Sequence, residues 1–177
     1  AGIDKNEVDA GKLAITASIN GEAKAYPIVL IGYHHQVVDS IGNVPAMITY
    51  CTVCRTGRIF SPVVEGNQET FRLVGMDHFN AMFEDKSTKS WWAQATGKCI
   101  AGPRKGMQLE EIPSEQLTIN SWLRQYPKGK IMQPDSTFKE IFKKMEVYDK
   151  GLSTSDLTKR DSSSWNKKSW VVGISEQ

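Results

Sequence analysis

The chain is short of cysteine, of long apolar runs and of charge of one sign, and each shortage removes a class of protein. Only three of its 177 residues are cysteine, and only Cys51 and Cys54 lie close together. That is no disulfide framework of the kind that staples small secreted domains; three thiols allow a single bridge or a metal clip. No apolar run approaches the ~20 residues that cross a bilayer as a helix, and Ala14 to Ile19, for one, is broken by Thr16 and Ser18. Lys and Arg number 22 against 20 Asp and Glu, a net charge of +2. The basic residues form no dense patch interleaved with aromatics, which argues against nucleic acid as a partner.

Familiar catalytic signatures are missing too. There is no Gly-x-x-x-x-Gly-Lys-Ser/Thr and no Gly-x-Gly-x-x-Gly between a strand and a helix, so no nucleotide is expected. Without Gly-x-Ser-x-Gly or His-Glu-x-x-His, serine hydrolase and zincin chemistry have no anchor. No internal repeat or low-complexity segment stands out. The sequence opens at Ala1 with no basic-then-apolar leader, which reads as a processed or trimmed product with any export signal out of view.

What is present suits one globular domain over 1–177: 40% of residues are hydrophobic and 24% charged, enough for a core. From Lys12 to Val74 strand signals repeat at short intervals. Leu13 to Ile19 and the Ala23, Ala25, Pro27–Leu30 stretch flank Asn20-Gly21, a dipeptide suited to a type I′ hairpin because both turn residues need positive φ. A second hairpin is expected from Gly57–Val64 through the polar Glu65–Gln68 loop to Glu69–Val74. Between them Val44–Tyr50 reads as a buried strand running into Cys51. After Gly75 loops and short strands fit best.

Helices are expected only later, over Thr118–Tyr126, stopped by Pro127, and over Thr137–Met145 behind a Ser136 N-cap, with Phe138, Ile141, Phe142 and Met145 on one stripe. Gly151–Ser164 reads as a polar surface loop and Trp165–Ile174 as a returning strand. The expected fold is mainly β (α+β), an antiparallel sheet or partly open barrel with a few short helices. Its β-rich body covers 12–133, and a helix, polar loop and returning strand occupy 134–177.

The sharpest local feature is Tyr50-Cys51-Thr52-Val53-Cys54-Arg55-Thr56-Gly57, a Cys-x-x-Cys at a strand end. A turn at that spacing brings two sulfurs close enough to share a metal ion or to form a reducible disulfide, and Arg55 beside them favours thiolate. A four-thiolate zinc site is excluded by count. Further ligands would come from His34, His35, His78, Cys99, Met76 or Met82, and this soft mixture of donors points to a copper ion. Zinc held by Cys51, Cys54, one histidine and Cys99 is the near competitor.

Adjacent His34 and His35, if in a strand, face opposite ways, so only one can serve a common site. His78 beside Asp77 is either an oriented imidazole or an exposed loop pair, and ranks below His34. Trp91, Trp92, Phe79 and Phe83 are read as core rather than as pocket walls.

In motif order the chain resembles the bacterial family known as domain of unknown function 3179, over Ile15 to about Gln133. The resemblance rests on Asn20-Gly-Glu-Ala-Lys-Ala-Tyr-Pro27, on Tyr33-His34, on Val44-Pro with Thr49-Tyr-Cys-x-x-Cys54, on Met82 to Trp92, and on Thr96-Gly to Gly102-Pro103. The family's Trp-His-Glu looks like Tyr33-His34-His35 here, so His34 takes the place of the family histidine. Its Cys-Pro-Leu-Cys-Gly-Thr resembles Cys51-Thr-Val-Cys54-Arg-Thr, with both thiols kept and the glycine replaced. Met82 matches the methionine of its Val-Met-Tyr-Asp segment, and Asn80 lies close by. The resemblance implies an exported bacterial protein (periplasmic, secreted or surface-anchored) but supplies no reaction.

Three functions follow as expectations. The first is a copper-binding redox or carrier domain with Cys51, Cys54 and His34 as ligands and Met82 as a weak axial one, served by an electron-transfer or metal-delivery partner. The second is a thiol–disulfide oxidoreductase using Cys51 and Cys54. Against it stands context, since such pairs usually open a helix whereas Arg55–Phe60 reads as turn then strand. The third is a non-catalytic ligand-binding or structural module with an unidentified ligand.

Overall fold

The computed structural model describes residues 8–145; the expected polar loop and returning strand of the C-terminal segment lie outside the described residues. Among the described residues, fourteen strands, three short α-helices and a 3-10 turn at Ser136–Phe138 build an antiparallel β protein with one parallel pairing, in separate sheets rather than a closed barrel. The first sheet has the order β13-β1-β2-β14, with β1 Leu13–Ile19, β2 Glu22–Pro27, β13 Glu115–Thr118 and β14 Lys130–Ile131, the last parallel to β2. The second, β12-β5-β4-β3, comprises β3 Gln36–Ile41, β4 Val44–Cys51, β5 Thr56–Phe60 and β12 Glu111–Ile112. The third, β11-β10-β9-β8, comprises β8 Phe71–Asp77, β9 Asn80–Asp85, β10 Trp91–Ala93 and β11 Cys99–Ala101. Strands β6 Val63–Val64 and β7 Asn67–Gln68 form a small ribbon. The helices are α1 Ile28–His34, α2 Ile119–Gln125 and α3 Lys139–Lys144.

Local chemistry explains several of these elements. Asn20 and Gly21 take φ of 50° and 80° and turn β1 into β2 with Ile19 opposite Glu22, as the dipeptide requires. Thr118 caps α2 by accepting the Ser121 N–H at 3.2 Å, and Pro127 follows its end. Before α3 the capping oxygen comes from Asp135, which accepts the Thr137 N–H at 2.9 Å, rather than from Ser136.

Two expectations differ from what forms. Pro27 ends β2, and Ile28–His34 coil into α1 instead of continuing the strand. Ile28, Leu30 and Ile31 on that helix are buried, and a short apolar run serves a buried helix as readily as a strand. His34 is therefore the last helical residue and His35 its left-handed cap, with φ of 61°, so the pair diverges by helix termination and not by strand alternation. The second hairpin is also rearranged. Glu65-Gly66 does form a turn, but only within the β6–β7 ribbon, while Thr56–Phe60 pairs with β4 and Phe71–Asp77 pairs with β9 in another sheet.

The three larger sheets stack in layers. One cluster joins Ile15, Ala17 and Tyr26 of the first sheet and Ile28 and Ile31 of α1 to Ile41, Ala46, Ile48, Tyr50 and Ile59 of the second. Another joins Met47 and Phe60 of the second sheet to Phe71, Phe83, Trp92 and Cys99 of the third. A third packs α2, through Ile119 and Trp122, on Ala14, Ala23 and Ala25. Strand β4 thus lies in the middle layer and is buried on both faces. Ala46, Ile48 and Tyr50 face one cluster and Met47 the other, and burying each large side chain contributes ~1.5–3 kcal/mol. By the same period-two alternation Thr49 and Cys51 look toward the third sheet. Phe83 and Trp92 are core, as expected, whereas Trp91 is exposed.

Candidate functional site: a dithiol between two hairpin tips

Strands β4 and β5 are joined by the four-residue loop Thr52–Arg55, with Cys51 opposite Thr56. The Cys-x-x-Cys is therefore a hairpin turn followed by a strand, as read from the sequence. Arg55 closes the loop with φ of 55°, a left-handed conformation that glycine adopts freely and other L residues adopt at a cost. This accounts for the glycine that the resemblance places at the same position.

The loop is braced from below. The Gln94 side-chain amide donates to Thr56 O at 3.1 Å and to Thr49 Oγ1 at 3.0 Å, and the Gly57 N–H donates to Gln116 Oε1 at 3.3 Å. Gly57 has a packing reason as well, since a Cβ there would lie 2.5 Å from the Ile15 side chain.

A second hairpin tip, the His78-Phe79 turn between β8 and β9, meets this loop from the third sheet. The two sulfurs lie 2.8 Å apart. The Cys54 N–H donates to Cys51 Sγ at 3.3 Å. Cys54 Sγ lies 2.6 Å from the Phe79 carbonyl oxygen, 3.3 Å from Asn80 Oδ1 and 2.8 Å from Cys51 Sγ, and its single S–H bonds one of them at a time. The Phe79 carbonyl is 3.4 Å from Cys51 Sγ. Cys51 is 2% exposed, while Cys54 is half-buried.

Cys51 thus has a main-chain N–H directed at it, while both sulfurs reach the Phe79 carbonyl, Cys54 the more closely. The hydrogen bond from Cys54 is the largest cause that brings the Cys51 thiol down from 9.0 to about 6, with burial opposing and the N–H groups of Cys54, Ala81 and Val53 adding to the fall. Hydrogen bonding to the charged form favours that form. The sequence pointed to the Arg55 charge for this role, but the principal causes are main-chain N–H groups and the partner thiol.

The remaining candidates are dispersed. His34 is exposed, and its ring centroid sits 5.4 Å from that of Phe138 and 6.0 Å from that of Phe142, in an aromatic group with Tyr33. His35 is lowered in pKa, first by burial and then by the charge of His34. His78 is exposed at the hairpin tip, its Nδ1 2.9 Å from Asp77. Met82 is buried on β9, and strand alternation turns it away from the face on which its neighbour Phe83 meets the second sheet. Met76 is exposed on β8.

Cys99 lies in the core between the second and third sheets, its thiol donating to Ala101 O at 3.3 Å and pushed up by burial. Among the described residues no three His, Cys, Asp or Glu side chains gather as a metal-holding group. Cys51 and Cys54 are therefore brought together, and among the described residues neither His34 nor Cys99 joins them as a third His, Cys, Asp or Glu.

Sequence reasoning missed the Phe79 carbonyl and Gln94, and placed Asn80 only near Met82. Phe79 acts through a main-chain atom, which leaves no mark in the sequence. Compared with known proteins, the chain matches the family described as protein of unknown function (DUF3179) over residues 3–177, further than the Ile15–Gln133 of the motif resemblance. No curated protein and no solved structure matches it. The chain belongs to that family.

Proposed function

We propose that this member of the family is a thiol–disulfide redox protein whose working centre is Cys51 and Cys54. The observation that carries the reading is the pair itself: two sulfurs outside any disulfide, 2.8 Å apart at a hairpin tip, one half-buried and the other buried beneath the Cys54 N–H. In the dithiol form a thiolate of the pair attacks one sulfur of a partner disulfide and displaces the other partner sulfur. The second cysteine then attacks the mixed disulfide, the partner leaves as a dithiol carrying two electrons, and the Cys51–Cys54 disulfide forms. A partner dithiol reverses the sequence. An exported location, where disulfides persist, suits such a centre.

The reading is preferred to copper held with His34 because that histidine packs on Phe138 and Phe142. A disulfide needs only the two sulfurs. Reduced full-length protein, treated with an aromatic disulfide reagent, is expected to release two equivalents of the chromophoric thiol and to lose two hydrogens by mass. The Cys51→Ser and Cys54→Ser variants should each stop at a mixed disulfide on the remaining cysteine of the pair. Wild type that keeps a mixed adduct on both sulfurs would defeat the reading. One equivalent of copper in protein purified without chelators, lost in both variants, would favour the carrier instead.

A further inference from the structure

A redox dithiol has a direction built into it when its two sulfurs have different surroundings, and here they differ in both access and bonding. Cys51 is 2% exposed, under the Cys54 N–H at 3.3 Å, with the N–H groups of Ala81 and Val53 also turned to it. Cys54 is half-buried and faces oxygen acceptors, Asn80 Oδ1 at 3.3 Å and the Phe79 carbonyl at 2.6 Å, the latter 3.4 Å from Cys51. Donors stabilise a sulfur as an anion and acceptors hold one as a neutral thiol. Disulfide exchange is governed by which sulfur an incoming thiolate can reach and by which sulfur departs more readily as an anion.

Resting on the redox reading above, we propose that Cys54 is the sulfur partners attack and Cys51 the sulfur that departs, so that the disulfide form serves as an oxidant of accessible thiols. A partner thiolate forms a bond to Cys54 Sγ as the Cys51–Cys54 bond breaks, and Cys51 leaves as a thiolate among its N–H donors. The partner's second thiol gives its proton to water and attacks the partner sulfur of the mixed disulfide. Cys54 departs and takes a proton from water, beside the Phe79 carbonyl and Asn80 that can accept its S–H. Two electrons pass from the partner to the pair and the partner gains a disulfide; counted from the neutral partner dithiol, whose first thiol loses a proton to become the attacking thiolate, one net proton is released because Cys51 stays ionised. Exchange with a more oxidising disulfide restores the centre. Stabilising the reduced form in this way makes the disulfide a stronger oxidant, the same logic that the handful of strongly oxidising dithiol proteins follow.

The test uses the full-length chain in its disulfide form. It is mixed with reduced glutathione, quenched in acid at successive short times, alkylated with N-ethylmaleimide and mapped by mass spectrometry. Glutathione is expected on Cys54 with the maleimide on Cys51, in clear excess over the converse, since Cys51 is 2% exposed and Cys54 only half-buried, and exchange depends on which sulfur can be reached. A second arm replaces glutathione with a reduced two-cysteine peptide, which should leave oxidised while the protein gains two thiols. Glutathione found on Cys51, or shared equally, would overturn the assigned direction while leaving the redox centre standing. A chain that cannot form the Cys51–Cys54 disulfide would remove both.

Discussion

Asp85 offers the most demanding test of how the third sheet is held in place behind the dithiol. Its carboxylate is fully buried, at 0% exposure. One oxygen accepts the Trp92 indole N–H at 2.9 Å and lies 3.3 Å from Arg104, while the other accepts the Thr88 N–H at 2.7 Å and the Thr88 hydroxyl at 2.8 Å. Asp85→Ala leaves the Trp92 N–H without an acceptor in the core and strips a carboxylate from the Arg104 cluster, where Glu69 and Glu65 remain at 2.8 and 3.0 Å. Breaking one side of a buried charged group costs about 3–5 kcal/mol. An orphaned buried donor costs about 1–3 kcal/mol. Because the two losses overlap, we expect about 4 kcal/mol in all, near the upper end for a single substitution.

Urea unfolding at constant m measures this loss. The pH dependence supplies the sign. Burial pushes the Asp85 carboxyl up, but the Trp92 and Thr88 hydrogen bonds and the Arg104 charge together hold it below the ordinary value. A depressed carboxylate contributes stability that is complete above the unfolded value of about 4 and is lost as pH falls through the folded value. The difference between wild type and Asp85→Ala should therefore be flat from neutrality down to about pH 5 and shrink in stronger acid. A loss below about 1 kcal/mol, or a difference that grows on acidification, would refute the reasoning.

Two further outcomes concern the dithiol. With Cys51 brought from 9.0 to about 6 in the folded chain, the unfolded state binds the extra proton between those values. The stability of reduced wild type over Cys51→Ser should then rise with pH across that window, by at most about 1.4 kcal/mol per pH unit, and level off below it; a flat difference in urea titrations across the window would contradict the thiolate assignment. Arg55→Gly relieves a φ of 55° and should stabilise the loop by about 0.5–1 kcal/mol, less than the full left-handed penalty because glycine also loses more freedom on folding. Thermal unfolding reads this as a rise of a few degrees, and a fall in Tm would show that the Arg55 side chain outweighs the backbone relief.

What the sequence determined by itself was short-range: the Asn20-Gly21 turn, the buried strand delivering Cys51, the helix closed by Pro127, and a Cys-x-x-Cys in a turn before a strand. Each depends on φ preferences or side-chain periods that a few neighbouring residues carry. Tertiary structure alone decided the partners. Strands Thr56–Phe60 and Phe71–Asp77 both alternate acceptably, yet they enter different sheets, because alternation fixes which face is buried and not what covers it. Likewise His34 was singled out by residue type, while its direction was set by α1 ending where Phe138 and Phe142 pack. The surroundings of the two sulfurs lay furthest from view. They are the Phe79 carbonyl and the Ala81 N–H brought across from the third sheet, beside the loop's own Cys54 and Val53 N–H groups, and every residue but proline has such groups, so only the stacking of the layers tells which of the distant ones reach a sulfur.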